Sequence, residues 1–353
     1  MLFSYTFVPH SMDKMQTYID YIFNEVWCKA QGRDYDIDVL FAGCDELRQV
    51  ITELHTSELK GADFFLTGLQ QIFEDFQGLS SDDIEQLKQW YHDNNSIELL
   101  CSNDPAVTPA TYQVIDALSV SLSRHFKGFF GNLYSHGFLS LASIASHVGT
   151  MDHHYQAFMQ ANSRGKCPFC GISDVKGIYH TKREAYDHYL PKAKYPFNSI
   201  NFRNLVPACH GCNSSYKLVK DPAMHATGKR RKAFYPYTNQ PHEIELHINV
   251  GPQDWNHIQP EDIDITLGPR HLREQIDTWL DVYGIEERYQ AKCCGENDGQ
   301  SWIQQVCDEW KEDGRTPEDF LHTLARHTKR RPYAEANFLK KAFLEGCQRA
   351  GLF

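Results

Sequence analysis

The chain has 353 residues, of which 41% are hydrophobic and 13% aromatic, enough for a sizeable core and for more than one average domain. Its formal net charge of −11 argues against a protein that binds nucleic acid over its whole surface, and no apolar run approaches the roughly 18 residues of a membrane span. Eleven cysteines behind a start that does not resemble a signal peptide fit a reducing, cytoplasmic setting.

Residues 1–155 read as a mostly helical region. Tyr18, Ile19, Ile22, Phe23 and Val26 recur at helical spacing and predict a helix over 15–27. Ser81-Asp82-Asp83-Ile84-Glu85 opens a second one, with acids against its N-terminal dipole. Thr108-Pro109 reads as a cap followed by proline at the first helical position, the start of a helix through Val114, Ile115, Leu118 and Leu122. A further helix over 144–158 leads into the centre of the chain. Residues 1–150 carry 8 basic against 20 acidic residues, and nothing among them points to catalysis; interaction or scaffolding is the expectation. The histidine pair His153-His154 reads as ordinary surface or core residues.

Residues 160–235 differ in charge from everything around them. They hold 14 Lys and Arg against 4 Asp and Glu, whereas the remainder of the chain holds 21 against 42. A basic island in an acidic chain is the electrostatic footprint of a polyanion site. The same segment contains two CxxC pairs, Cys167/Cys170 and Cys209/Cys212, spaced for a closed four-thiolate zinc site that serves structure and not chemistry. CxxC spacing favours these four as ligands over His210, which lies between the second pair. The other seven cysteines (Cys28, Cys44, Cys101, Cys293, Cys294, Cys307, Cys347) are scattered and read as reduced thiols. Between and after the zinc pairs stand a carboxylate, an imidazole and two amides: Asp187, His188, Asn204 and Asn213. A strand over 185–190 would send Asp187 and His188 to opposite faces, one to a metal and the other to water. His180 reads as an exposed loop histidine.

In the last region, residues 236–353, Ile244, Leu246, Ile248 and Val250 alternate, and Ile263, Ile265 and Leu267 repeat the pattern, predicting two strands. Helices are expected from Pro269 to a stop at Gly284, from Thr316-Pro317-Glu318-Asp319, and from Pro332 towards Arg349, with a loop over 293–300. The fold class predicted is therefore α+β and predominantly helical, with three regions: 1–155, 160–235 and 236–353. No internal repeat is present.

The stretch CPFCG, YDHYLPK and NLVPACHGCNSSYK, within residues 164–220, resembles the HNH nucleases, also called His-Me finger or ββα-metal nucleases, in particular those braced by a four-cysteine zinc knuckle. The flanks resemble, more loosely, nucleases of bacterial anti-phage defence modules. The resemblance implies a ββα-metal finger in which His188 is the general base, Asp187 and Asn213 hold one catalytic Mg²⁺ or Mn²⁺, and Asn204 supports the loop. Many family members have histidine where this chain has Asn213, which keeps an oxygen donor. An imidazole titrating near neutrality is expected at His188. Lys217 is expected on a phosphate, and Lys192 and Lys194 along the substrate's approach. The function implied is hydrolysis of DNA phosphodiesters, leaving 5′-phosphate and 3′-hydroxyl ends. The alternatives are a zinc-stabilised nucleic-acid- or protein-binding module without catalysis, and an RNase of the same fold. The acidic helical flanks suggest self-association or docking to a protein such as a defence ATPase.

Overall fold

The aromatic residues of the first region meet in one core. Phe23, Phe76, Phe126, Phe129 and Phe130 are all buried around Trp27, whose ring lies 5.2 Å from that of Phe129 and whose indole N–H donates to the Leu69 carbonyl at 3.0 Å. A computed structural model of the protein describes residues 1–56, 61–240, 242–251 and 257–353. The helix expected over 15–27 forms as Lys14–Tyr21 and continues, by wider and then tighter turns, through Ile22–Val26 and Trp27–Lys29. The Ser81–Asn95 helix is capped by the hydroxyl of Ser80, with Asp83 returning to the Ser80 N–H.

Thr108 does not cap a helix. Its N–H donates to Asp93 at 2.9 Å and that of Ala110 to Asn94 at 2.9 Å, so this segment is tied to the end of the Ser81–Asn95 helix. The helix begins later, at Tyr112–Leu118, breaks at the extended Ser119, and resumes as Val120–Leu133 under a Ser119 cap. The single helix expected over 144–158 is also two, Ala142–Val148 and Met151–Ala161. Gly149 divides them at φ +81°, where an added Cβ would fall 2.7 Å from the Ser11 hydroxyl.

The central segment forms a short antiparallel pair, β1 (Tyr186–His188) with β2 (Leu205–Pro207), in the register Tyr186 to Pro207 and His188 to Leu205. The helical segment Gly211–Lys217 follows. In the last region β3 (Glu245–Val250) pairs antiparallel with β4 (Ile263–Gly268), as alternation predicted. The Arg349 guanidinium fastens the closing helix Asn337–Arg349 to β3 through the Ile248 carbonyl at 2.7 Å. The helix Arg273–Tyr283 stops at Gly284, in the left-handed region at φ +57°, where a Cβ would meet the Tyr216 ring at 2.4 Å. Residues 293–300 are helical and not a loop: Cys293 and Cys294 end the Ile285–Cys294 helix, and Glu296–Gln300 adds a wide turn. The fold is α+β and mostly helical, and no described helix is long and apolar enough to cross a membrane.

Candidate metal centre and active site

The two CxxC turns converge. The sulfurs of Cys167, Cys170, Cys209 and Cys212 all lie within 4.8 Å of one another and all four residues are buried. Among the described residues this is the one cluster of three or more His, Cys, Asp and Glu groups able to hold a metal ion. Four soft donors at this separation fit a structural zinc with no open coordination position. The last region braces the cluster. Arg288 donates to the Cys212 sulfur at 3.1 Å while its guanidinium lies 4.8 Å over the Tyr216 ring. Tyr289 donates to the Cys170 carbonyl, and Trp279 to that of Phe169. His210 is exposed and outside the cluster.

β1 carries Asp187 and His188 to opposite faces. On one face the imidazole of His188 meets the Tyr134 ring edge-on at 4.7 Å, and its Nε2 lies 2.9 Å from the Ser199 carbonyl. A carbonyl only accepts, so Nε2 carries the proton and the lone pair sits on Nδ1. Burial, reinforced by the nearby Lys192 ammonium, pushes this imidazole down to about 3, well below the neutral titration expected for it. His188 is therefore neutral, with Nδ1 open as an acceptor.

The loop between the strands is pinned by amides. Asn204 accepts from the Leu190 N–H at 2.7 Å and returns its NH₂ to the Leu190 carbonyl at 3.0 Å. The same NH₂ lies 3.3 Å from the Asn198 carbonyl, and Asn198 donates to the carbonyl of Asn94 in the first region at 3.1 Å. Asn94 in turn donates to the Pro196 carbonyl, and Asn201 to the Asn95 side chain. Between these amides Phe197, at φ +81°, inserts its ring into the helical core, 5.2 Å from both Phe126 and Phe130. Ser199, which holds His188, is thus set by the first region.

The other face differs from what the sequence suggested. Lys217 is completely buried, and its ammonium donates to Asp187 Oδ1 at 2.9 Å and to the His188 carbonyl at 2.8 Å. A lysine enclosed in this way has no surface on which to meet a phosphate. It braces β1 against the Gly211–Lys217 segment. Burial raises the Asp187 carboxyl above its usual value although Lys217 opposes the shift, and Asp187 Oδ2 is buried without a partner. No hydrogen bond engages the Asn213 side chain among the described residues. An orphaned carboxylate oxygen and an uncommitted amide fit a hard, oxygen-liganded cation, with the Lys217 charge acting against tight binding.

Of the remaining lysines, Lys192 reaches the Gly131 carbonyl at 2.8 Å and stays within 6.0 Å of the Tyr134 ring, beside His188. Lys194 turns to buried Asp221 at 4.0 Å. The basic island is partly self-neutralised, since its four acids each face a lysine: Asp174 with Lys166, Glu184 with Lys176, Asp187 with Lys217 and Asp221 with Lys194. His180 is exposed, whereas His154 is buried with its ring bonded to the Tyr186 hydroxyl. Sequence reasoning missed Tyr134, Asn94, Phe197 and Arg288, none of which stands in a motif. The run of amides at Asn198, Asn201 and Asn204 was a usable signal, because buried amides must find partners.

Part of the chain is similar to curated proteins. It is 37% identical over 87 residues to protein ea31 of Escherichia phage lambda, covering 24% of this chain and 25% of that one. It is 32% identical over 68 residues to Septu protein PtuB of Bacillus thuringiensis, covering 18% and 25% respectively. The matched part is thus about a quarter of the length of either relative. No family model matches the chain, and no solved structure matches it.

Proposed function

We propose that the chain is a metal-dependent endonuclease of the HNH type, acting on DNA in bacterial defence against phage or foreign DNA. In this reading β1, β2 and the Gly211–Lys217 segment are the ββα-metal finger, and the four-cysteine knuckle holds it rigid. The observation that carries the reading is the setting of His188 at the end of β1: its Nε2 is fixed by the Ser199 carbonyl, its Nδ1 is left free, and the loop that follows is locked by Asn204. That nitrogen takes a proton from water as the water oxygen attacks phosphorus and the bond to the 3′ oxygen breaks. The departing oxygen takes its proton from solvent. A phosphate brought beside the ring favours the imidazolium and raises its basicity from the low value set by burial. A divalent Mg²⁺ or Mn²⁺ held by Asp187 Oδ2 and the Asn213 amide oxygen would neutralise the phosphate and stabilise the leaving group. The partial similarity to PtuB supports the defence setting, and a protein partner such as a defence ATPase, or self-association through the helical flanks, belongs to the same proposal.

Purified protein incubated with plasmid DNA and structured RNA, with Mg²⁺, Mn²⁺ or EDTA, tests this. Cleavage that needs the divalent ion and disappears in His188→Ala, at unchanged zinc content, is the expected result; a fully active His188→Ala protein refutes it. One observation favours a second reading, a zinc-stabilised binding module without catalysis: the Lys217 ammonium already serves as the counter-charge of Asp187. That reading expects nucleic-acid or protein binding and no nicking under any metal.

A further inference from the structure

Beside the His188 face lies a cavity of about 420 Å³ that the catalytic reading leaves without a role. Its volume falls within the roughly 300–1,000 Å³ range of small-ligand sites. Tyr134, Leu139, Met151 and Tyr186 supply an aromatic and apolar lining, and Arg183 and Asp152 supply the polar groups. Tyr134 joins the cavity to the histidine, since the ring that lines it is the ring His188 touches at 4.7 Å.

The polar groups are incompletely used. Arg183 donates through Nε to Asp152 at 3.0 Å and through Nη1 to the Glu184 carbonyl at 3.2 Å, and Nη2 has no hydrogen-bond partner among the described residues. The Tyr134 hydroxyl is buried and makes no well-formed hydrogen bond, and the Arg183 guanidinium stands close enough to interact with it. Asp152 is mostly exposed at the rim, and its outer oxygen is a free acceptor. Flat aromatic and apolar walls with a few donors and one acceptor at the edge are the chemistry of a nucleobase site. The loop leading to Arg183 adds Tyr179, which is 94% exposed, between Lys176 and Lys182. Lys176 is engaged by Glu184, so the exposed Tyr179 ring with Lys182 forms the platform open to a neighbouring base and phosphate.

We propose that this cavity receives one unstacked nucleobase, presented by a single-stranded or locally opened nucleic acid. The base lies against Tyr134 and meets Arg183 and Asp152 with its hydrogen-bonding edge, and its backbone phosphate is carried towards His188. The last clause rests on the nuclease reading, whereas base capture does not. The cavity then makes unpaired nucleic acid the preferred substrate, because a paired base must first be flipped out.

The test uses the full chain carrying His188→Ala in EDTA, so that binding is read without cleavage. Fluorescence anisotropy compares a labelled 12-nucleotide DNA single strand, its RNA counterpart and the DNA duplex, against the same protein with Tyr134→Ala and, separately, with Ala145→Trp, which puts a large ring at another residue lining the cavity. Zinc content and circular dichroism check that each variant is folded. Single-strand affinity is expected to fall by roughly 5- to 100-fold in both variants, the loss that removal of one base–aromatic stack brings, with a smaller change for the duplex. The DNA and RNA arms decide which polymer is held. Single-strand Kd values within twofold of the parent in a folded Ala145→Trp protein, or no single-strand binding by the parent, overturn the proposal. Binding that responds to both variants while the His188 protein cuts nothing leaves the base site standing and removes the nuclease reading. Metal-dependent cutting that ignores both variants does the reverse.

Discussion

The two ends of the central hairpin are held by different forces and by different flanks. At the knuckle end, four buried cysteines close into a cluster fit to hold a metal, and the last region supplies Arg288, Tyr289 and Trp279 as donors to its sulfur and carbonyl groups. At the loop end no metal is needed. The first region supplies Asn94 and an aromatic socket for Phe197, and the loop answers with Asn198, Asn201 and Asn204. Coordination is strong and local, so four residues suffice there. Packing and amide hydrogen bonds are individually weak, so the loop end needs many partners drawn from a distant part of the chain. The lesson is that the acidic helical flank, which by composition looked like a scaffold or a docking arm, also builds the wall behind His188.

The knuckle end is the more vulnerable to a single substitution. Cys209→Ser should abolish stoichiometric zinc, read by a colorimetric chelator, and unfold the hairpin and the helices resting on it. Structural zinc sites bind with apparent free energies of about 10–16 kcal/mol, so this is the largest effect expected of any single change. Retention of one zinc and of the parental Tm would show that the cluster is not the metal site.

At the loop end Phe197→Ala should cost about 3–5 kcal/mol in a denaturation experiment, the usual penalty for emptying a buried phenylalanine site. Zinc content should stay at one per chain, because the knuckle is fastened independently. Loss of zinc together with the loop would mean that the two ends act as one unit.

The smallest expected effect comes from acid. His154, in the Met151–Ala161 helix, is buried against Tyr186 of β1, and burial, aided by His10, pushes its imidazole down to about 4. The unfolded chain, with an ordinary histidine value near 6.5, binds this proton first. Stability is therefore complete above about pH 6.5 and falls as the pH drops towards 4, by about 3 kcal/mol in total. His154→Phe should flatten the dependence of the urea midpoint on pH over that window. An unchanged slope would mean that His154 is not held neutral by the fold.

Much of this was legible locally. The helix opening at Ser81, the cap at Thr316, the stop at Gly284 and the alternation of β3 and β4 are written in adjacent residues and appear where expected. The expectations that moved also have local causes that only tertiary partners reveal. Thr108 lost its cap to Asp93 and Asn94, Gly149 split a helix that periodicity joined, and the loop over 293–300 became helical.

Within the site, the sequence by itself determined the chemistry of the donors: four thiols in two turns, and a carboxylate, an imidazole and two amides at fixed separations along the chain. Short-range spacing fixes such groups because a turn or a strand of known geometry connects them. Only the tertiary structure decided which of them face one another. It turned Lys217 inward onto Asp187, set Ser199 against His188 through Asn94, and brought Tyr134 and Arg183 together at one cavity. Those contacts span from 11 to over 100 residues of chain, and their partners are chosen by burial and by the need of every enclosed polar group to find a mate, which no local pattern encodes.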